Sequence, residues 1–531
     1  MWYSVVPPLL AILLAFLTHH VLLSLGVAIV VGGLLVSVPQ APLSGAAWLQ
    51  GLMSTGAFVG EAVTSTTNLQ ILAFIPPIFV MVETMIASGG FNGIILWLLR
   101  RVKGRKSAQL ATALMGVLCF IDDYANAIIV GSMMQPITNR FRISREKLAF
   151  IVDATSAPIS GLAIVSTWIA YEVGLFGDTA VQLGIDRTGY SMFFDALSFR
   201  FYCLLMIFFV FTHIIAGRDF GPMRISEERR QGDADNTKSR QLHERSSSAT
   251  AQIRGRAVNA LLPLGGLILF HLTGLWLDGN GLAKLRAGGS PLSWAYWREV
   301  ISGAEHSHLI LLFAALFGMT LAMLCGRLVG TLRNSVMSGC LWRGIRRAVM
   351  PSMILILAWS LKNCCDSLGT GEFLTSVLAE RISPRWFPPL LFVVASVTSF
   401  ATGTSWGTMA ILIPTAIPIA FALDGRIYGL TTMISLGAVL DGAIFGDHCS
   451  PISDTTIISS TASSCDLIQH VRTQLPYSLS VAAVALICAY IPSAFGLAPR
   501  WGLIAGMAVT TCFFIILAKY GGNKSCKDAH S

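Results

Sequence analysis

The sequence predicts an all-α polytopic membrane protein made of two halves with one plan. Three observations carry this reading. Only 12% of the residues are charged and 54% are apolar, whereas soluble domains carry about 25% charged residues. Apolar runs of bilayer-crossing length recur along the whole chain. The order of runs and interruptions before residue 218 is repeated after residue 256.

The elements follow in order. Apolar runs at 4–17, 21–38 and 70–88 are spans, and 42–66 is a loop or an interfacial helix. Glu83 lies inside the third span. Basic patches at Arg100–Lys106 and Arg140–Lys147 flank the segment 107–138. Its two apolar legs, about 15 residues each, are short for a crossing, and basic flanks belong on the cytoplasmic side. A segment that leaves and returns on one side, with Asp122-Asp123 at its tip, reads as a re-entrant hairpin. Two short full spans are the alternative and would put the acidic pair in the opposite loop. The run 148–176 is interrupted at Asp153–Pro158. Proline removes a helical hydrogen bond, and Ser and Thr supply substitutes. Such a broken helix persists in a membrane where it lines a cavity. A span at 198–217, with Arg200 at its membrane edge, completes a first repeat over 1–217.

Residues 218–256 form a hydrophilic cytoplasmic linker. The second repeat, 257–495, has spans at 257–277, 307–324 and 350–367, the last holding Lys362. A second hairpin at 387–423 has the tip Ala401–Thr408. A second broken helix at 430–462 is interrupted at Gly446–Thr456, and a span at 477–495 follows. Residues 496–531 add a final span and a cytoplasmic tail. Local echoes support the pairing of halves: Pro158-Ile-Ser160 recurs as Pro451-Ile-Ser453, and Pro136 follows Asp122 at the same distance as Pro418 follows Thr404. The total is about eleven transmembrane helices. With a hairpin counted as no crossing, each half has about five spans and the second half is inverted. On that count 27 of the 37 Lys and Arg residues face the cytoplasm, as positive-inside topology requires. Inverted repeats with interrupted helices near the midplane are a secondary-transporter plan.

The net charge of +9 does not indicate nucleic acid, because it sits in short loops between spans. The 11 cysteines form no CxxC or CxxH pattern and read as small hydrophobes within helices. The N-terminus lacks the basic region of a cleavable signal peptide, since Arg100 is the first Lys or Arg.

Two hairpin tips and two helix breaks should meet near the membrane centre. They offer the oxygens of Asp122, Asp123, Asn126, Asp153, Thr155, Thr404, Ser405, Asp447, Ser450, Ser453, Asp454 and Thr455. Carboxylates, hydroxyls and freed carbonyls suit a hard cation, with sodium the natural choice for a site that must also release. Buried neighbouring carboxylates also hold protons, so a site taking either a proton or sodium would be an exchanger. Asp122, Asp123 and Asp153 are the first candidates. The bland reading of each acid is a helix cap or a partner of a buried base. Ser166, Thr167, Trp168, Glu172, Trp406 and His448 lie beside the breaks. The two Trp are cavity walls or simple packing, and His448 is a proton carrier or a hydrogen-bonding partner. Glu83 and Lys362 occupy corresponding spans and are expected to meet each other or other polar groups. A local Lys362–Asp366 pair is the alternative.

These residues also resemble a known family, the NhaC-type sodium/proton antiporters of the ion transporter superfamily. The likeness rests on Phe120–Val130 (FIDDYANAIIV), Ile143–Ala149, Ile151–Thr155, Ser166–Trp168, Leu368–Gly371, Ala401–Thr408 (ATGTSWGT) and Gly446–Thr456 (GDHCSPISDTT). It extends over about residues 5–520. The resemblance implies a bacterial inner membrane and exchange of internal sodium for external protons. It also implies scaffold and transport domains with elevator-like motion, and a homodimer. Beyond the transported Na+ and H+ no cofactor is expected, and no partner beyond the lipid bilayer and a second copy. Glu83, Lys362 and the long 218–256 insert depart from the family pattern. The family also includes exchangers of organic solutes, such as malate for lactate. A sodium- or proton-coupled carrier of a small carboxylate or amino acid is therefore the alternative function. That cargo would want an Arg or helix N-termini at the site. No Arg lies at the four breaks in the sequence, which favours the cation. A membrane enzyme or a channel is the weakest reading, because no nucleophile–base or metal motif stands out.

Overall fold

The structure, a computed structural model, describes residues 2–18, 20–38, 44–99, 102–232, 256–328, 332–370, 373 and 382–520. It contains helices and no strand among these residues. Residues 233–255 of the expected linker and the tail beyond Tyr520 lie outside them.

The first half starts with α1 (Val6–Thr18), α2 (Val21–Ser37), α3 (Gly45–Thr64), α4 (Thr66–Ala87) and α5 (Gly90–Leu99). The segment expected as a loop or interfacial helix is thus the helix α3. The first hairpin is α6 (Arg105–Leu118) and α7 (Asp123–Arg140). At 1.5 Å per residue, the 14 residues of α6 reach about 21 Å, short of the roughly 30 Å hydrocarbon core. The first broken helix is α8 (Arg145–Ala154), the short α9 (Ala157–Ser160) and α10 (Thr167–Leu183). Its interruption is longer than the sequence suggests, because the backbone stays non-helical from Gly161 to Ser166. Pro158 sits in the first turn of α9, where its missing N–H costs no bond. Then come α11 (Gly189–Leu197), α12 (Phe201–Ala216) and α13 (Gly221–Gly232), so part of the expected linker is helical.

The second half has α14 (Val258–Asp278), α15 (Gly281–Arg286), α16 (Trp294–Ser302), α17 (Ser307–Leu328) and α18 (Asn334–Ser367). α18 is one helix of 34 residues, about 51 Å long. The basic stretch Arg343–Arg347, which the positive-inside count puts among the cytoplasmic residues, lies in the first half of this helix. The second hairpin is α19 (Phe387–Thr402) and α20 (Ser405–Leu423). The second broken helix is α21 (Leu430–Cys449) and α22 (Asp454–Ala462). Its break is short, Ser450–Ser453, and Gly446–Cys449 remains helical. α23 (Leu467–Val484) and α24 (Pro499–Tyr520) finish the described chain.

Among the described residues, nine helices are long and apolar enough to cross a membrane, and shorter apolar helices cover Tyr3–Ala15, Val21–Ser37 and Phe387–Thr402. This is a multi-pass membrane protein. Packing relates the two halves by an exchange of partners. α2 packs on α1 and on α18 of the other half, as α17 packs on α14 and on α4. The first-hairpin helix α7 packs on α22, and the second-hairpin helix α20 packs on α10. Each hairpin therefore meets the broken helix of the other half, which brings all four interruptions together.

Candidate functional site

Four helix N-termini converge here, each capped by a side chain that a polar residue in an apolar run makes visible in the sequence. Asp122 caps α7, accepting from Ala125 N at 2.7 Å. Thr404 caps α20, accepting from Gly407 N at 3.3 Å. The two corresponding residues of the hairpin tips thus do one job. Ser166 caps α10 through the N–H groups of Trp168 and Ile169. Ser453 caps α22 through Thr456 N at 3.3 Å.

Buried polar side chains tie the first tip to the first break. Asn126 donates to Gly116 O at 2.7 Å and to Thr155 O at 2.8 Å. Ser156 donates to Asp123 O at 2.7 Å, and Thr167 N donates to Ile121 O at 2.9 Å. These bonds satisfy carbonyls freed by the interruptions. Asn126 and Thr155 hold the backbone, though Asn126 Oδ1 keeps no bond of its own. The approach requires Gly116. A Cβ added there would clash with Thr155 Oγ1 and meet Thr155 Cβ at 2.6 Å. Gly116→Ala is therefore expected to destabilise by about 1–3 kcal/mol through overpacking, measured as lost thermal stability of the purified protein.

Between the tips and the α2, α4 and α18 wall lies a cavity of about 530 Å³. Of the expected residues, Asp123, Thr167, Trp168, Thr404, Ser405, Trp406, Asp447, Asp454 and Thr455 line it. Asp447 Oδ2 accepts from Ser405 Oγ at 2.9 Å and from Thr455 Oγ1 at 3.3 Å. Its Oδ1 is buried with no hydrogen-bond partner, as is Asp123 Oδ1. Asp454 accepts from the Tyr124 hydroxyl and from Thr455 N at 2.8 Å, and its charge acts on Asp447. Trp168 and Trp406 meet edge to face, with ring centroids 5.9 Å apart. Tyr171 packs against Trp406 with the rings tilted and their centroids 4.4 Å apart, and donates to its carbonyl. Among the described residues, no three His, Cys, Asp or Glu side chains converge as a metal-binding set. A cation on this wall would rely on hydroxyls and carbonyls beside one or two carboxylates.

Other expected residues lie away from the cavity. Asp122 faces Thr167 and feels the charges of Arg347 and Glu83. Asp153 is 1% exposed and fully engaged, accepting from Gln474 Nε2 at 2.7 Å and Ser459 Oγ at 3.1 Å. His470 Nε2 lies at 3.3 Å and His448 Nε2 at 3.7 Å from the same carboxylate. His448 also bonds the Tyr202 hydroxyl at 2.8 Å. Ser450 ends α21. Glu172 pairs with Arg200 at 3.3 Å, and Arg200 Nε pairs with Asp441 at 2.9 Å. Arg200 is thus buried in the interior of the protein.

The expected meeting of Glu83 and Lys362 does not occur. Glu83 pairs with Arg343 at 2.9 Å and Arg347 at 2.7 Å, because α18 continues through the basic stretch and lays it along α4. Lys362 makes the local pair with Asp366 at 3.7 Å. The same continuity brings an Arg to the site although none lies at the four breaks in the sequence, since Arg347 lines the cavity. Sequence reasoning missed Arg347, Asp441, Tyr124, His470 and Gln474. For Asp441, a lone carboxylate in an apolar run was the available signal.

A family model described as the Na+/H+ antiporter family matches residues 161–491. An "uncharacterized protein" of Haemophilus influenzae is 32% identical over 517 residues, 97% of this chain and 94% of that one. The malate-2H(+)/Na(+)-lactate antiporter of Bacillus subtilis is 32% identical over 171 residues, a match that covers 32% of this chain and 34% of that protein. The crystal structure of the Alcanivorax borkumensis YdaH transporter shares the fold. Its TM-score is 0.58 at 16% identity, over 86% of this chain and 90% of that one.

Proposed function

The chain belongs to the Na+/H+ antiporter family, and we propose from this premise that it exchanges sodium for protons by alternating access, with the described cavity as its site. One observation carries the proposal: Asp123 and Asp447, each with a buried oxygen that has no hydrogen-bond partner, line a cavity where Asp454 adds a third carboxylate. Buried like charges require a counter-cation, and either a proton or sodium meets that need. Competition between the two couples their movement. Ser405, Thr455 and Thr404 supply neutral oxygens of the kind a hard cation takes. Asp153, satisfied by its neighbours, and Glu172, paired with Arg200 through Oε1, hold the architecture.

The cavity separates the four tips from the α2–α4–α18 wall, so sliding of the tip-bearing elements against that wall would present the site to each side in turn. An elevator-type motion, with α1–α4 and α14–α18 as scaffold, fits this arrangement, as does a homodimer built on the scaffold. The setting is a bacterial inner membrane. The experiment is reconstitution in liposomes with an imposed sodium or lithium gradient while internal pH is recorded. Sodium-driven proton movement is expected. Vesicles that contain folded protein yet show no proton flux under either gradient would overturn the reading.

A further inference from the structure

We propose, resting on the alternating-access reading of this cavity, that the outer ends of α10 and α11 form a polar latch on the scaffold. The latch shuts the cavity from outside and breaks in each transport cycle. The cavity lies toward the cytoplasmic end of the molecule. The exposed His20, between α1 and α2, lines it together with Arg347 and Met350 of α18. Trp168 and Trp406 line it as well, and Tyr171, about one turn further out on α10, covers Trp406. Beyond this aromatic layer, Asp178 and Gln182 follow Tyr171 at helical spacing and share its face of α10.

Two polar contacts join this outer end to the scaffold. On α10, Gln182 Nε2 donates to Asp366 Oδ1 of α18, and Asp178 faces both Lys362 and Asp366. Lys362 Nζ lies 3.7 Å from Asp366 Oδ2, so one cation offsets two carboxylates on opposite sides of the seam. The cost of a lysine in an apolar span is met there. On α11, the buried Asp195 accepts from Arg298 Nε of α16 at 2.6 Å. Tyr428, in the loop before α21, faces this pair with Arg187 beside it. Arg187 belongs to the loop between α10 and α11, so Arg298 is the partner that crosses the seam. α11 packs on α10 and α21, whereas α16 packs on α14 and α15. The Asp195–Arg298 pair therefore spans the tip-bearing elements and the scaffold. All these groups are external on the positive-inside count. An ion pair with a half-exposed arginine contributes little net stability, which suits a contact that is broken and renewed in every cycle.

Hydrogen–deuterium exchange of the purified full chain, read by mass spectrometry, tests the latch. Asp195→Asn, Arg298→Gln and Lys362→Met each weaken one contact. Exchange is expected to rise in 184–200 and 290–306 by up to about fivefold, the scale for a partly exposed ion pair. It is expected to fall in 20–24 and 343–355, because the inner side closes as the outer side opens. Lys362→Met leaves Asp178 and Asp366 facing each other without their cation, so adding Asp178→Asn should return exchange toward wild type. Arg298→Lys keeps the charge, guards against a folding failure and should keep the wild-type pattern. A contact that only supports the fold would loosen the outer segments and leave the inner ones unchanged. That result, or wild-type exchange in all three weakened variants, overturns the latch. Sodium-driven proton movement by the wild type in vesicles is read separately. Its presence without the reciprocal change removes the latch alone, and its absence removes the transport reading beneath it.

Discussion

Arg200→Met is expected to cost about 3–5 kcal/mol, the scale for removing one partner of a buried ion pair, and to leave little folded protein. Arg200 is 0% exposed. It joins Glu172 on α10 to Asp441 on α21, while Asp441 also accepts from Tyr202 N at 2.6 Å and the Tyr490 hydroxyl at 2.8 Å. Three elements around the interruptions therefore depend on one guanidinium. Without it two carboxylates remain buried with no base. The penalty comes from the orphaned charges, not from the value of the pair itself. The triple variant Arg200→Met, Glu172→Gln, Asp441→Asn is accordingly expected to recover most of the lost stability. Thermal unfolding and monodispersity in detergent check both. A single variant as stable as wild type would remove the clamp from the account.

Asp447→Asn is expected to lower sodium-driven proton exchange by about 100-fold while the protein stays folded. The loss corresponds to roughly 3 kcal/mol, that of a bond to a charged group. The amide keeps the shape and can still accept from Ser405 and Thr455, so packing is preserved. It cannot take up a proton or present a negative charge at the unbonded Oδ1. Asp153→Asn should behave differently. Its carboxylate accepts from Ser459 and Gln474 and lies beside two histidines, away from the cavity. The expected result is lost stability before lost ion coupling. Exchange measured in vesicles, normalised to folded protein, separates the two cases.

The contrast between these carboxylates shows what the sequence could convey. Asp122, Asp123, Asp447 and Asp454 are visible because an acidic residue inside an apolar run is costly and so needs a reason. The repeated order of spans, hairpin and broken helix is visible from run lengths. The caps are visible too, since Ser, Thr and Asp before an apolar run mark a helix start. Which acid faces an open cavity and which is enclosed depends on neighbours some 300 residues away, as Ser459, His470 and Gln474 are from Asp153. Arg347 was hidden for another reason. Clustered Arg residues read as a cytoplasmic loop under the positive-inside rule, whereas α18 carries them as helix alongside α4. This also explains why Glu83 finds Arg343 and Arg347. Lys362 lies 15 residues beyond Arg347 on the same helix, about 22 Å further along its axis.

Cargo is expected to bind among Asp123, Asp447 and the hydroxyls of the second tip and second break. The sodium concentration giving half-maximal proton exchange, measured in liposomes for wild type, Ser405→Ala and Thr455→Val, tests it most directly. Both hydroxyls touch Asp447 Oδ2 and neither carries charge. Their loss should raise half-saturation by several-fold up to about tenfold, for a bond of about 1 kcal/mol, with the maximal rate largely retained. Half-saturation equal to wild type in both variants would place the sodium site elsewhere and contradict the account.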